Sequence, residues 1–305
     1  MEGTNKMTKK RLILFVVFTF VIAWILFLLV PILGIPYGTS NSIILVAAAM
    51  FAPALGSILT RLVTKEGFQN MYLRPRFKGN IRYYLLVFFG PTVLLVVSAA
   101  VYFLLFPGSF DPNFTALKEL TAASGSSAMP VEQLLLITFL QVALIGPIIN
   151  IIPTLGEELG WRGYLLPKLH ESHSNRAALV LSGVIWGVWH APVIIMGHNY
   201  GTEYFGYPWL GVVGMIVFCV IFGVIEGYIT IKLKSAIPAA MIHSTINAGA
   251  AMAIYLAKPG FNSLLGPAIT GILGALPFLA LAVVLFIKAG TLSKPITPEV
   301  ASKPE

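Results

Sequence analysis

The sequence predicts an all-α fold: a polytopic membrane bundle of about eight transmembrane helices with both termini cytoplasmic. Three observations carry that expectation. The 305 residues are 57% hydrophobic and only 10% charged, with mean hydropathy +0.86, which leaves too little polar surface for a soluble domain of this size. Eight apolar segments of roughly 18–25 residues are each long enough to cross about 30 Å of hydrocarbon, and without water to satisfy open backbone groups they must be helices. Eighteen of the twenty Lys and Arg fall on one side of such a bundle.

The segments run near 12–34, 42–63, 82–106, 133–155, 177–196, 209–231, 236–256 and 266–288. The first has a basic lead, as a signal peptide would, but its apolar run is too long and residues 30–36 offer no small-x-small cleavage site, so it reads as a retained anchor. The first three segments hold almost no ionisable residue between their ends and read as packing or lipid-facing helices. The connection 107–132, rich in Pro, Gly, Ser and Ala, reads as a loop with one helical turn. Segments four and five are joined by a polar turn at 170–176, and six and seven turn near residue 234. Cys219, the single cysteine, lies in segment six and reads as a small buried apolar residue. Tyr200, Glu203, Tyr204, Tyr207 and Trp209 read as an interfacial aromatic belt, and His170, His173 and His198 receive no role.

Orientation follows from the basic residues. Lys6, Lys9, Lys10 and Arg11 precede the first segment; Arg61, Lys65, Arg74, Arg76, Lys78 and Arg82 follow the second. Arg162, Lys168 and Arg176, then Lys232 and Lys234, then Lys288, Lys294 and Lys303 complete that side, and only Lys118 and Lys258 lie opposite. The positive-inside rule and eight crossings therefore agree on cytoplasmic termini. The net charge of +8 finds its partner in anionic headgroups of the bilayer, and no nucleic acid is expected. The organisation expected is a cytoplasmic lead at 1–11, one transmembrane domain at 12–289 with its polar core at about 133–256, and a cytoplasmic tail at 290–305 without fixed structure. A multi-pass protein of a bacterial plasma membrane results; oligomeric state is left open.

Chemistry concentrates between residues 150 and 250. Glu157, Glu158 and Arg162 lie between strongly apolar stretches, where each charge costs about 2.5–3.5 kcal/mol on insertion scales. Glu158 and Arg162 are four apart, carboxylate first, the favourable order for a helical ion pair. Glu157 points about 100° away and has no basic residue at i+3 or i+4; a buried Glu of this kind can accept a proton from water. Folding a hairpin about residue 173 brings residue 157 opposite 189 or 190, so Glu157 and His190 fall at matching depth. His243 and Asn247 share one helix face and can donate two hydrogen bonds to an oxyanion. The turn near 234 sets Glu226 opposite His243, where it could orient or charge the imidazole. His190 lies deeper from its helix start than His243, so the first hairpin must reach further or the helices must tilt. Each residue also has a plainer reading, as a satisfied core side chain or interhelical glue.

The three motifs in order, Glu157–Glu158–x–x–x–Arg162, Trp186–x–x–x–His190 and His243–x–x–x–Asn247, resemble the CAAX prenyl protease and bacteriocin-processing family (CPBP, or Abi), the type II CAAX endopeptidases, over about residues 145–255. Trp161 and Trp186 stand where that family often has Phe, aromatic swaps expected to matter little. The resemblance implies an intramembrane endopeptidase acting on a membrane-embedded or lipidated peptide or protein tail. In it Glu157, assisted by His190, activates a water, and His243 with Asn247 holds the oxyanion. Glu158, Arg162, Trp186 and Glu226 support them. A zinc ion on Glu157, His190 and His243 is the alternative; HExxH spacing and a cysteine cluster are absent, and a metal-free glutamate enzyme with no cofactor is preferred. Two other readings stand beside this one: a non-catalytic membrane partner or immunity protein, and a proton-coupled carrier, against which the bland first three segments count.

Overall fold

A computed structural model describes residues 2–123 and 129–292, and its regular structure is helical throughout. Among the described residues six helices are long and apolar enough to cross a membrane: Lys6–Ile32, Ser40–Val63, Ile81–Leu105, Val131–Ile149, Trp209–Leu233 and Ile237–Leu256. The expected loss of structure in the tail falls outside the described residues from 293 onward.

Helix α1 spans Glu2–Ile32. Helices α2 (Ser40–Ala49) and α3 (Ala52–Val63) make one crossing, interrupted at Met50 and Phe51 where Pro53 opens the second half. After α4 (Ile81–Leu105), the 107–132 connection holds more than one turn: α5 runs Thr115–Ala123, its start fixed by Asp111, which accepts from the amides of Asn113 and Thr115 at 3.0 and 2.8 Å. The fourth crossing is α6 (Val131–Leu140), a π turn at Gln141–Ile145, and α7 (Gly146–Ile149).

A break at Asn150 then opens a second rod, α8 (Ile151–Gly160), a π turn at Trp161–Leu165, and α9 (Leu166–His170). The expected fourth segment thus ends early and the Glu-rich run belongs to its own helix. Helix α10 (Asn175–Trp189) starts on Ser174, whose hydroxyl accepts from the Ala177 amide, and gives way to the short α11 (Ala191–Ile195) at Pro192. Then follow α12 (Trp209–Leu233), α13 (Ile237–Gly249) and α14 (Leu276–Ala289). Residues 257–275, expected partly as helix, are irregular, rich in Gly and Pro, and closed by Ile272 and Leu273 amides on the Leu264 and Leu265 carbonyls at 2.9 Å. Buried irregular backbone survives at membrane depth only when other protein groups satisfy it in this way. Tyr200 departs from the expected belt: it is buried and donates to the Thr270 carbonyl at 3.0 Å, whereas Trp209 is exposed.

The closest helix pair is α10 with α12. A Cβ on Gly183 would lie 2.6 Å from Cα of Val220, and one on Gly187 would collide with Cα of Ile216, so two glycines four apart let main chain meet main chain. On the other flank α8 lies on α3 and α13, with Gly160 pressed to Pro53. Helix α13 also stitches the break at Asn150. The Ser244 hydroxyl donates to the Gly146 carbonyl at 2.6 Å and accepts the Asn150 amide at 3.0 Å, and Thr154 donates to the Ala240 carbonyl at 3.1 Å. These contacts set α8, α10, α12 and α13 around one centre.

Candidate active site

Glu157 and Glu158 stand near the end of α8, Trp161 and Arg162 on the π turn that follows it. Such a turn takes an extra residue and re-aims the side chains beyond it, and it recurs at functional sites. The first expectation met is the ion pair: Arg162 Nη1 lies 2.9 Å from Glu158 Oε1. Arg162 also ion-pairs through Nη2 with Glu226 of α12, so one guanidinium joins two carboxylates, all three side chains being at most 1% exposed. Below the guanidinium plane, 4.2 Å away, lies the ring of Trp186 from α10, a cation–π contact away from water.

His243 of α13 completes this group, with Nδ1 2.9 Å from Glu158 Oε1. The imidazole is therefore oriented by Glu158. The hydrogen bond comes from Glu158, while the Glu226 carboxylate, engaged by Arg162, lies within 4.8 Å of the imidazole and acts on it by charge alone.

Glu157 is buried, yet takes no part in that ion network. Its Oε2 accepts hydrogen bonds from two indoles, Trp186 Nε1 at 2.9 Å and Trp161 Nε1 at 3.2 Å. Phe at these positions could make neither bond, so the aromatic swaps expected to matter little do alter the site. Glu157 also meets α10 at Trp186, one turn before His190, since the π turn absorbs residues in the first arm of the hairpin.

His190 caps the carboxyl end of α10. Its Nδ1 lies 2.9 Å from the Trp186 carbonyl, which can only accept, so Nδ1 carries the hydrogen and Nε2 keeps its lone pair. Its ring lies 5.8 Å from Trp186 and 4.7 Å from Trp189, centroid to centroid, and Cys219 Sγ is 3.8 Å from Nδ1 in a fully buried position. The Trp186 ring is also 5.4 Å from that of His243. Trp186 thus touches Glu157, Arg162, His190 and His243, a centrality that its place as a motif aromatic does not disclose. Asn247 sits one turn beyond His243 on α13 and is exposed, unlike its neighbours Thr245 and Ile246. The depth problem resolves in favour of a longer first hairpin. Counting from the Glu158–His243 contact, α9 runs on to His170 while α13 goes back only to Ile237, a difference of about 9 Å along the axes.

The ligand set considered for zinc was Glu157, His190 and His243. The ligand atoms that converge among the described residues belong instead to Glu158, Glu226 and His243, all within 4.8 Å of one another. That set does not fit a divalent cation well. Arg162 already binds both carboxylates, and an added ion would sit against its fixed positive charge.

Sequence reasoning gathered the acidic, basic and imidazole groups and Trp186 as a supporting aromatic, but missed Thr154, Ser244 and the donor role of the Trp161 and Trp186 indoles. One signal was present: Trp161 lies four residues after Glu157, on the same face, where only a basic partner had been sought.

Residues 132–249 match the Rce1-like family, described as type II CAAX prenyl endopeptidase Rce1-like. CAAX prenyl protease 2 of Methanococcus maripaludis is 36% identical over 93 residues, which is 30% of this chain and 34% of that protein. The chain therefore spans about a third of the length of the curated relative it matches. The matched stretch contains every residue of the centre just described, in an integral, multi-pass membrane protein. Over residues 132–249, then, this chain is similar to the Rce1-like type II CAAX prenyl endopeptidase family.

Proposed function

We propose that this protein is a metal-free intramembrane endopeptidase that hydrolyses a peptide bond in a membrane-associated, lipidated protein tail. The supporting observation is the position of Glu157: a buried carboxylate inside the matched domain, held by two indoles and outside the Arg162 ion network. A carboxylate already bound to a guanidinium makes a poor proton acceptor, so Glu158 and Glu226 are structural and Glu157 is the base.

Water adds its oxygen to the scissile carbonyl carbon while its proton passes to Glu157, with His190 Nε2 accepting a second hydrogen bond from that water. The carbonyl oxygen becomes an oxyanion facing His243 and Asn247. His243 acts as the imidazolium, held by its hydrogen bond to Glu158. In that form Nδ1–H stays on Glu158 and Nε2–H is the oxyanion donor. Glu157 then returns its proton to the departing amine as the C–N bond breaks, leaving a carboxylic acid and an amine, which exchange one proton to become carboxylate and ammonium. The termini are assigned to the cytoplasm, the side from which a lipidated tail approaches.

The test uses purified protein in proteoliposomes, prenylated and unprenylated tail peptides, and a metal chelator. Cleavage by wild type that survives chelation and vanishes in Glu157→Gln is the expected result. Equal cleavage by Glu157→Gln sinks the mechanism, and loss of cleavage with chelator alone restores a metal ion. No cleavage of any peptide favours a non-catalytic partner or a carrier.

A further inference from the structure

We infer that Trp161 and Trp186 form an indole clamp on Oε2 of Glu157, a positioning device that turns Oε1 toward the water and selects it as the proton acceptor. The inference rests on the assignment of Glu157 as base and adds which oxygen acts and what selects it.

Both donors fall on the same oxygen, Trp186 Nε1 at 2.9 Å and Trp161 Nε1 at 3.2 Å. An ionised carboxylate has two equivalent oxygens and a freely reversible orientation about its last torsion. Two donors converging on one oxygen remove that equivalence. The donors are themselves fixed. Trp161 is fully buried and packs edge-on against Phe15 and Trp189, with centroids 5.8 Å apart in each case. Trp186 lies beneath the Arg162 guanidinium and beside both imidazoles, so it cannot turn without breaking contacts on every side.

An indole suits this task for a chemical reason. Its N–H donates but cannot accept, and it carries no charge, so it orients the carboxylate without forming the ion pair that would suppress its basicity. Arg162 has this relation to Glu158 instead, and the two adjacent carboxylates are thereby assigned different work by different donors. Phe preserves ring packing but removes the donor, so a chain with Phe at both positions must hold its Glu by other means.

Two readouts decide the matter. Trp186 is replaced by Phe and, separately, by benzothienylalanine, an isostere with sulfur in place of the N–H; Trp161→Phe and the double Phe variant complete the set. Thermal unfolding in detergent identifies folded variants. In the cleavage assay, loss of a hydrogen bond to a charged group should lower kcat about ten- to hundred-fold while KM stays within about twofold. The double variant should be slower than either single one. Full kcat with benzothienylalanine at 186 overturns the clamp. The second readout needs no substrate: the indole N–H marker band of Trp186 in ultraviolet resonance Raman, isolated by subtracting the Trp186→Phe spectrum. It should sit at its hydrogen-bonded position in wild type and move to that of a free indole in Glu157→Ala. A band unmoved by Glu157→Ala also overturns the clamp. Should wild type cleave nothing, the endopeptidase assignment falls, and the Raman result alone judges whether the clamp exists.

Discussion

Helices α1–α4 and the stretch from α8 to α13 draw on the same apolar residues but use them in opposite ways. In the best apolar windows of the first three spans only 28–33% of residues are buried, against 67% in α12 and 56% in α13. The early helices face outward, and their ionisable residues sit at the ends. There Glu66 joins Arg11 at 3.4 Å and Lys168 at 2.5 Å, and accepts from Tyr164 at 2.8 Å. The later helices bring Glu157, Glu158, Arg162, Glu226 and His243 into the interior, where each must find a partner inside the protein. Charge at a helix end fastens the bundle; charge in its middle is retained because something is done with it.

The largest separation between the two regions is expected in activity. Glu157→Gln should remove at least about a hundred-fold of cleavage rate and leave the protein folded, as judged by peptide cleavage and gel filtration. A folded, fully active variant would erase the distinction between Glu157 and its structural neighbours. Next comes Asn247→Ala, which as a lost oxyanion donor should lower kcat about hundred-fold with little change in KM; a change confined to KM makes Asn247 a substrate-binding residue. Arg162→Ala leaves Glu158 and Glu226 buried without their cation and should cost about 3–5 kcal/mol of stability. The same truncation at an exposed position of the early helices, Val93→Ala, should stay within about 0.5 kcal/mol. Similar melting shifts for the two would show that the centre is not the costly region.

The smallest effect is electrostatic. Burial pushes the Glu66 carboxyl up, but the hydrogen bond and charge of Lys168, the Tyr164 hydroxyl and Arg11 outweigh it and leave it below its ordinary value of 4.5. A depressed carboxylate contributes its stability above the unfolded value, and that contribution is lost as pH falls through the folded one. Wild type should therefore lose at most about 1 kcal/mol more than Glu66→Gln when melted below about pH 4.5, and the two should run parallel above it.

The bundle and its polar centre were legible for different reasons. Apolar length is a property of one segment at a time, so the six long apolar helices could be read directly, whereas the segments at 177–196 and 266–288 are broken by turns that apolar length does not show. Glu158 with Arg162 is a local pair four residues apart, equally readable. Partner choice across helices was not. Whether His243 meets Glu226 or Glu158 depends on where the hairpins lie against one another, and hairpin arithmetic carries an error of about a turn once a π turn enters an arm. The break at Asn150 was hidden for a related reason. Pro147 and Pro153 were visible, but the Ser244 hydroxyl that satisfies the freed backbone comes from α13, nearly a hundred residues on. Indole donors escaped because Trp in an apolar segment reads as packing.

Gly183 and Gly187 have a consequence for how this protein can change over time. At these two positions α10 puts no side chain against α12, and a single methyl there would meet the Cα atoms of Ile216 and Val220, which rotating a neighbour cannot move. The rods would separate, carrying Trp186 on one away from the partners of Glu226 on the other. Substrate preference can drift through many small changes on surfaces facing lipid, but this seam permits no gradual route. Lineages that alter it must rebuild the centre in one step or lose it.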